Sequence, residues 1–187
     1  MLVLASKSPR RKALLAEAGM DFIVDPAAGE EEPWNGAIPP EEYVRRLAAR
    51  KALEVAPRHP GARIVGADTI VVLDGRILGK PRDMENAREM LSMLSGREHM
   101  VFTGVALARD AALLRSWTTA TAVRFKTLSG DETREYLSLV NPFDKAGAYG
   151  IQDHGDLIVE GIRGSYSNVV GLPVEELLEA LAAVQGQ

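Results

Sequence analysis

A chain of 187 residues with 46% apolar and 26% charged residues has the length and balance of one large globular domain or two small lobes. Its formal charge of −4 excludes a non-specific nucleic-acid binder, which needs a broad basic face, but leaves room for a few cations around a small anion. The absence of cysteine excludes disulfides and thiolate metal sites.

No apolar run approaches the roughly 20 residues that span a bilayer. The stretch Met1–Ser6 is too short for a secretory signal, so no membrane partner and a cytoplasmic setting are expected. Leu2 to Ala5 predicts a buried strand. Ser8 then supplies an N-cap and Pro9 the first helical residue, where its missing N–H costs nothing; the helix stops at Gly19. A short strand at Phe22-Ile23-Val24 leads into an acidic loop from Asp25 to Pro40, long enough to be mobile or functional. The spacing of Tyr43, Val44, Leu47, Ala48 and Leu53 predicts a helix over 41–55.

Ile64-Val65 and Ile70-Val71-Val72-Leu73 read as strand, closed by an Asp74-Gly75 turn before Arg76-Ile77-Leu78. Asp83 caps a helix carrying Ala87, Met90, Leu91 and Leu94, ending at Gly96. Two long strands follow, about 99–108 and 113–125, with a turn near Arg109-Asp110. Ser129 and Glu132 form a capping box for a helix to Leu139; a last strand spans 157–162, and Pro173 opens a terminal helix to about Val184. Strands and helices alternate, yet at least one hairpin is present, which favours an α/β domain with a mixed sheet over a purely parallel one. No repeat or linker divides the chain.

The chemistry-bearing residues sit beside turns. Ser8-Pro9-Arg10-Arg11 is a strand–turn–helix junction, where free N–H groups and two guanidiniums could hold phosphate. The same residues, with Lys12, equally suit a solvated helix face. No Walker-type glycine loop exists. Asp68 interrupts an apolar strand, and a carboxylate there has to be paired, metal-bound or exposed at a strand end. Glu30, Glu31 and Glu32 are either solubilising charge or, with Asp68, oxygen ligands for a divalent ion. Lys80 and Lys145 flank turns, and either alone reads as surface. His99 and His154 lack partners at metal-ligand spacing and read as structural; His59, beside Pro60, reads as exposed.

Taken in order, several stretches resemble the Maf family of nucleoside triphosphate pyrophosphatases, the septum-formation-inhibitor proteins. They are Leu4–Arg11, Leu47-Ala48 with Lys51-Ala52, Gly66–Thr69, Gly79-Lys80-Pro81, Leu94-Ser95-Gly96 with His99, Asp144–Gln152, and Gly171-Leu172-Pro173. The resemblance implies a two-lobed α/β domain over 1–187, built on a mixed, twisted sheet with flanking helices and a cleft between lobes. It implies hydrolysis of a nucleoside triphosphate between the α- and β-phosphates, with Mg²⁺ or Mn²⁺ as cofactor, and leaves a homodimer open.

Residue by residue, Asp68 matches the family's proton acceptor and Arg10, Thr69 and Gln152 match positions tied to substrate choice. Ser8, Arg11 and Lys145 match the substrate-binding pocket, and Lys51 and Lys80 its catalytic cations. Glu31, with Asp68, matches an acidic metal-binding position by register, although three consecutive glutamates blur it. The run Asp144-Lys145-Ala146-Gly147-Ala148-Tyr149-Gly150-Ile151-Gln152 resembles the dTTP/UTP branch more than the branch acting on methylated guanine nucleotides. Two alternatives are a modified-nucleotide substrate and a non-catalytic nucleotide-binding regulator of division.

Overall fold

A computed structural model describes residues 1–29 and 33–184. In chain order it contains β1 (Leu2–Leu4), α1 (Pro9–Glu17), β2 (Ile23–Val24), α2 (Pro40–Val55), β3 (Arg63–Leu73), β4 (Arg76–Leu78) and α3 (Met84–Leu94). There follow β5 (Glu98–Arg109), β6 (Ala112–Phe125), α4 (Gly130–Leu139), α5 (Gly155–Ile158), β7 (Val159–Arg163), α6 (Tyr166–Val170) and α7 (Val174–Ala183). The strands form one sheet in the order β2-β1-β3-β5-β6-β7, with β4 added to β3. β1 runs parallel to β2 and β3, whereas β4 on β3 and β7 on β6 are antiparallel. The fold is therefore a mixed α/β one with a twisted mixed sheet, as the hairpin signals imply.

Two compact units share these strands. The first comprises 1–69, 103–119 and the chain from 171; the second comprises 70–102 and 120–170. β3, β5 and β6 each contribute residues to both. Among the described residues, no helix is long and apolar enough to cross a membrane.

In the first unit, Val3 and Ala5 of the N-terminal segment, Ala48, Ala52 and Val55 of α2, Ile64 of β3 and Ala106 and Ala108 of β5 form the core. Most of these side chains are small, and two glycines remove the side chain altogether. A Cβ on Gly66 would lie 2.2 Å from the Ala48 carbonyl oxygen, and one on Gly104 2.4 Å from that of Val44. The backbone of α2 therefore rests directly on β3 and β5, which brings Lys51 against the strand that carries Asp68.

In the second unit, Leu91 and Leu94 of α3 pack with Val101, Phe125, Tyr136, Tyr149 and Ile158. The ends of its helices follow local chemistry. The Asp83 side chain accepts the Asn86 N–H at 2.7 Å, and Ser129 and Glu132 complete both halves of their capping box. Asp74 (φ 49°) and Gly75 (φ 74°) turn β3 into β4, both central residues being left-handed, as the hairpin twist demands.

Three sequence expectations shift. The two apolar runs around Asp68 are one strand, because Asp68 takes a partner on α2 and does not break the ladder. The expected strand over 157–162 starts at Val159; His154, at φ 54°, instead opens the single helical turn of α5. The five-residue α6 was not anticipated, being too short to show a helical period.

Candidate functional site

The junction between β1 and α1 is built as its residues suggest. Ser8 is extended (φ −65°, ψ 118°), its hydroxyl accepts the Arg11 N–H at 3.4 Å, and Pro9 begins the helix. Arg10 is half-buried. Arg11, only 9% exposed, has its guanidinium drawn inward. Its Nε donates to the Gly171 carbonyl at 2.7 Å. Nη1 donates to the Ala67 carbonyl at 2.8 Å and the Ser6 hydroxyl at 3.1 Å, and Nη2 to Thr69 Oγ1 at 3.0 Å. Thr69 Oγ1 also lies 2.9 Å from Thr103 Oγ1. Arg11 and Thr69, both expected at substrate, are thus engaged with the protein's own acceptors here. The two Arg11 bonds on β3 fall on the Ala67 carbonyl and the Thr69 hydroxyl, so they tie down both neighbours of Asp68.

Deleting this fork would remove the 2.8 Å bond to the buried Ala67 carbonyl and leave the Gly171 carbonyl only the longer 3.4 Å bond from Thr69 Oγ1. Arg11→Ala is therefore expected to cost about 3 kcal/mol of stability. Calorimetry should show this as a fall in Tm of about 6–12 °C. A Tm within 2 °C or so of the parent would mean that the network is not structural.

Asp68 and Lys51, both expected to be catalytic, are brought together. Lys51 Nζ of α2 donates to Asp68 Oδ1 of β3 in an ion pair whose side chains are only 15% and 14% exposed. A carboxylate in an apolar strand needs such a partner, and this one leaves the second oxygen of Asp68 for other contacts. Glu30, Glu31 and Glu32 lie outside the described residues. Among the described residues, no cluster of three or more His, Cys, Asp or Glu side chains could hold a metal.

The second unit contains Lys80, Lys145 and Gln152. Lys80 is exposed, directly after Gly79, whose carbonyl accepts the Gly147 N–H at 3.0 Å. Lys145 is buried, and its ammonium donates to the Asn141 carbonyl at 2.7 Å, Asp144 Oδ1 at 2.8 Å and Asp153 Oδ2 at 3.0 Å. Those acceptors match the three donors of an ammonium, and the two carboxylates offset its charge. A Cβ on Gly150 would stand 2.8 Å from Lys145 Cε, so only glycine admits this packing. Gln152 is exposed and lines a depression of about 540 Å³ with Leu139, Asn141, Lys145, Asp153 and His154. With Lys145 neutralised, this lining offers hydrogen-bonding edges more than net positive charge.

Behind that segment lies a buried aromatic group. His99 Nε2 is 2.7 Å from the Tyr149 hydroxyl, and Phe125 stands edge-on to both rings at 5.1 and 4.8 Å. Burial lowers the His99 pKa to about 4, so the imidazole is neutral at pH 7, and it pushes the Tyr149 phenol up. Tyr136 is pushed up to about 12 by burial, and its hydroxyl accepts the Gly150 N–H at 3.1 Å. His99 is thus structural in its surroundings, as its sequence context indicates. His59, expected to be exposed, is largely covered and sits 2.7 Å from Asp25 Oδ2. Sequence reasoning passed over Ser6, Thr103, Asn141, Tyr136 and Asp153. None carries a local signal, and only the Asp144-Lys145 adjacency hinted that Lys145 is paired.

A family model described as Maf-like protein matches residues 1–184 of the chain. The dTTP/UTP pyrophosphatase of Myxococcus xanthus (strain DK1622) is 50% identical over 184 residues, covering 97% of this chain and 91% of that one. The dTTP/UTP pyrophosphatase of Syntrophus aciditrophicus (strain SB) is 46% identical over 181 residues, covering 96% and 88%. Among solved structures, a HAM1 protein from Coxiella burnetii superposes with a TM-score of 0.51 at 16% identity, covering 98% of each chain. A nucleoside-triphosphatase (dITP/XTP pyrophosphatase) from Mycobacterium abscessus gives 0.50 at 19% identity, covering 98% of this chain and 93% of that one. These two likenesses bear on the fold alone.

Proposed function

The chain belongs to the Maf-like protein family, and we propose that it is a nucleotide pyrophosphatase that hydrolyses dTTP and UTP to the monophosphate and pyrophosphate. The names of its relatives support the substrate. The observation that carries the reaction is the Lys51–Asp68 pair, a carboxylate held in one orientation within an apolar strand by a half-buried ammonium. Hydrolysis needs water activated in line with the α-phosphorus, and Asp68 is the group suited to take the proton. Arg10 and Lys80 are the cations assigned to phosphate, whose oxygens arginine can grip with two donors at once.

A divalent ion, Mg²⁺ or Mn²⁺, belongs to the same reading. Mg²⁺ is commonly held by one or two carboxylates plus substrate phosphates, and the second oxygen of Asp68 is a hard donor of that kind. Glu31 would be the further ligand. When bound, the ion would offset phosphate charge and lower the pKa of a coordinated water. Pyrophosphate release from dTTP and UTP by purified protein, with and without a chelator, tests the whole reading. No release from either nucleotide in the presence of both metals would defeat it.

Base choice is assigned to Gln152. Uracil and thymine present an N3–H donor beside the O4 acceptor, and a carboxamide can pair with both at once. Cytosine reverses that pattern, and a site built for one edge rejects the other because its own groups stay unpaired. The depression around Gln152, with Lys145 neutralised, suits a neutral base edge better than a phosphate. UTP and dTTP are therefore expected to be hydrolysed well above CTP, and Gln152→Ala to erode this preference more than it lowers maximal rate. Equal kcat/KM values on CTP and UTP by the parent protein would refute the assignment.

A further inference from the structure

The segment from Lys145 to Gln152 has little regular structure of its own. It makes one 3-10 turn at Ala146–Ala148, in which Gly147 (φ 69°) and Ala148 (φ 64°) are both left-handed. A left-handed alanine is an unfavourable conformer that persists only where the surroundings fix it. The following residues show what fixes it. The ring of Tyr149 is edge-on to Phe125 and His99, its hydroxyl reaches His99 Nε2 at 2.7 Å, and the Gly150 N–H is held by the Tyr136 hydroxyl at 3.1 Å. Gln152 follows these anchors by three and two residues, and its own side chain is exposed.

A glutamine that selects uracil over cytosine has to be held in one orientation, because a freely flipping carboxamide pairs with either base. We propose that His99 and Tyr149 are positioning residues for base selection: their buried hydrogen bond holds the Lys145–Gln152 segment so that Gln152 presents one edge. Neither residue touches the reacting atoms in this account. The proposal rests on Gln152 being the base-selecting residue.

The pair is suited to this task. His99 is the second residue of β5 and only 2% exposed; Tyr149 is 5% exposed, so neither partner can exchange its bond for one to bulk water. Phe125, itself fully buried, closes the third side. The bond links positions far apart in the chain, so it ties an irregular segment to the sheet where backbone pairing does not.

The test compares kcat/KM on UTP and CTP for the parent, Tyr149→Phe, His99→Leu and the double variant. Tyr149→Phe removes one oxygen and keeps the ring packing. It is expected to reduce the UTP-to-CTP ratio about tenfold. The change should come mainly through KM for UTP, with kcat within about threefold. His99→Leu should have a similar effect, and the double variant should lose no more than either single change, because both remove the same bond. An unchanged ratio in Tyr149→Phe, or single effects that simply add, would overturn the proposal. Should His99→Leu fold poorly, His99→Gln, which retains an acceptor, is expected to keep more of the ratio than Tyr149→Phe, and a lower ratio would count against the bond. A parent protein with no preference for UTP over CTP would instead remove the Gln152 reading on which the proposal stands, so the two failures are distinguishable.

Discussion

Replacing Asp68 with asparagine is expected to lower pyrophosphate release from dTTP by roughly 10²- to 10⁴-fold, the range for loss of a general base. The change is nearly isosteric, and the carboxamide oxygen can still accept the bond that Lys51 Nζ now gives to Asp68 Oδ1. Local geometry should therefore survive, with α2 still seated on Gly66 and Gly104. What disappears is the negative charge, and with it both the capacity to accept a proton and the attraction for a divalent ion. Circular dichroism and the melting temperature should stay close to those of the parent while turnover collapses. If Asp68→Asn released pyrophosphate at near-parental rate, water activation would have to be sought elsewhere in the chain.

Much of the fold is legible in the sequence because its signals are local. Ser8-Pro9, Asp83 and the Ser129–Glu132 pair fix helix starts through bonds that reach no more than three residues. Asp74-Gly75 closes a hairpin by its own backbone preference. Gly66, by contrast, looks like a break in a strand, and only the approach of the Ala48 carbonyl shows why a side chain is excluded there. The same holds for Asp68, whose pairing with Lys51 depends on how closely α2 lies on β3. The fate of the cations was the least legible feature. Arg11 finds Gly171 at a separation of 160 positions, and Lys145 finds Asp153 across a turn whose path depends on Gly147 and Ala148. Charge and motif order identify such residues as polar, but only tertiary packing decides whether they face the protein or a ligand.

That distinction yields the second large effect. Arg10→Ala and Lys80→Ala are each expected to cost about 2–4 kcal/mol of transition-state stabilisation, as for loss of one electrostatic donor. In rate terms this is a fall in kcat/KM of about 30- to 900-fold. A triphosphate brings about four negative charges, and Lys80 is exposed after a glycine whose carbonyl is already tied to Gly147, so its ammonium extends from a fixed base. Arg10 stands in the first turn of α1, at the positive end of the helix dipole, which favours an anion. Arg11, one residue further on, is the internal control. Its guanidinium is bound to Gly171, Ala67, Ser6 and Thr69, so its removal should appear first in Tm, whereas the exposed Lys80 should be silent in Tm and visible in kcat/KM. If Arg10→Ala and Lys80→Ala instead left kcat/KM within about twofold of the parent, these two side chains would be ordinary surface charge, and the phosphates would have to be held by other groups.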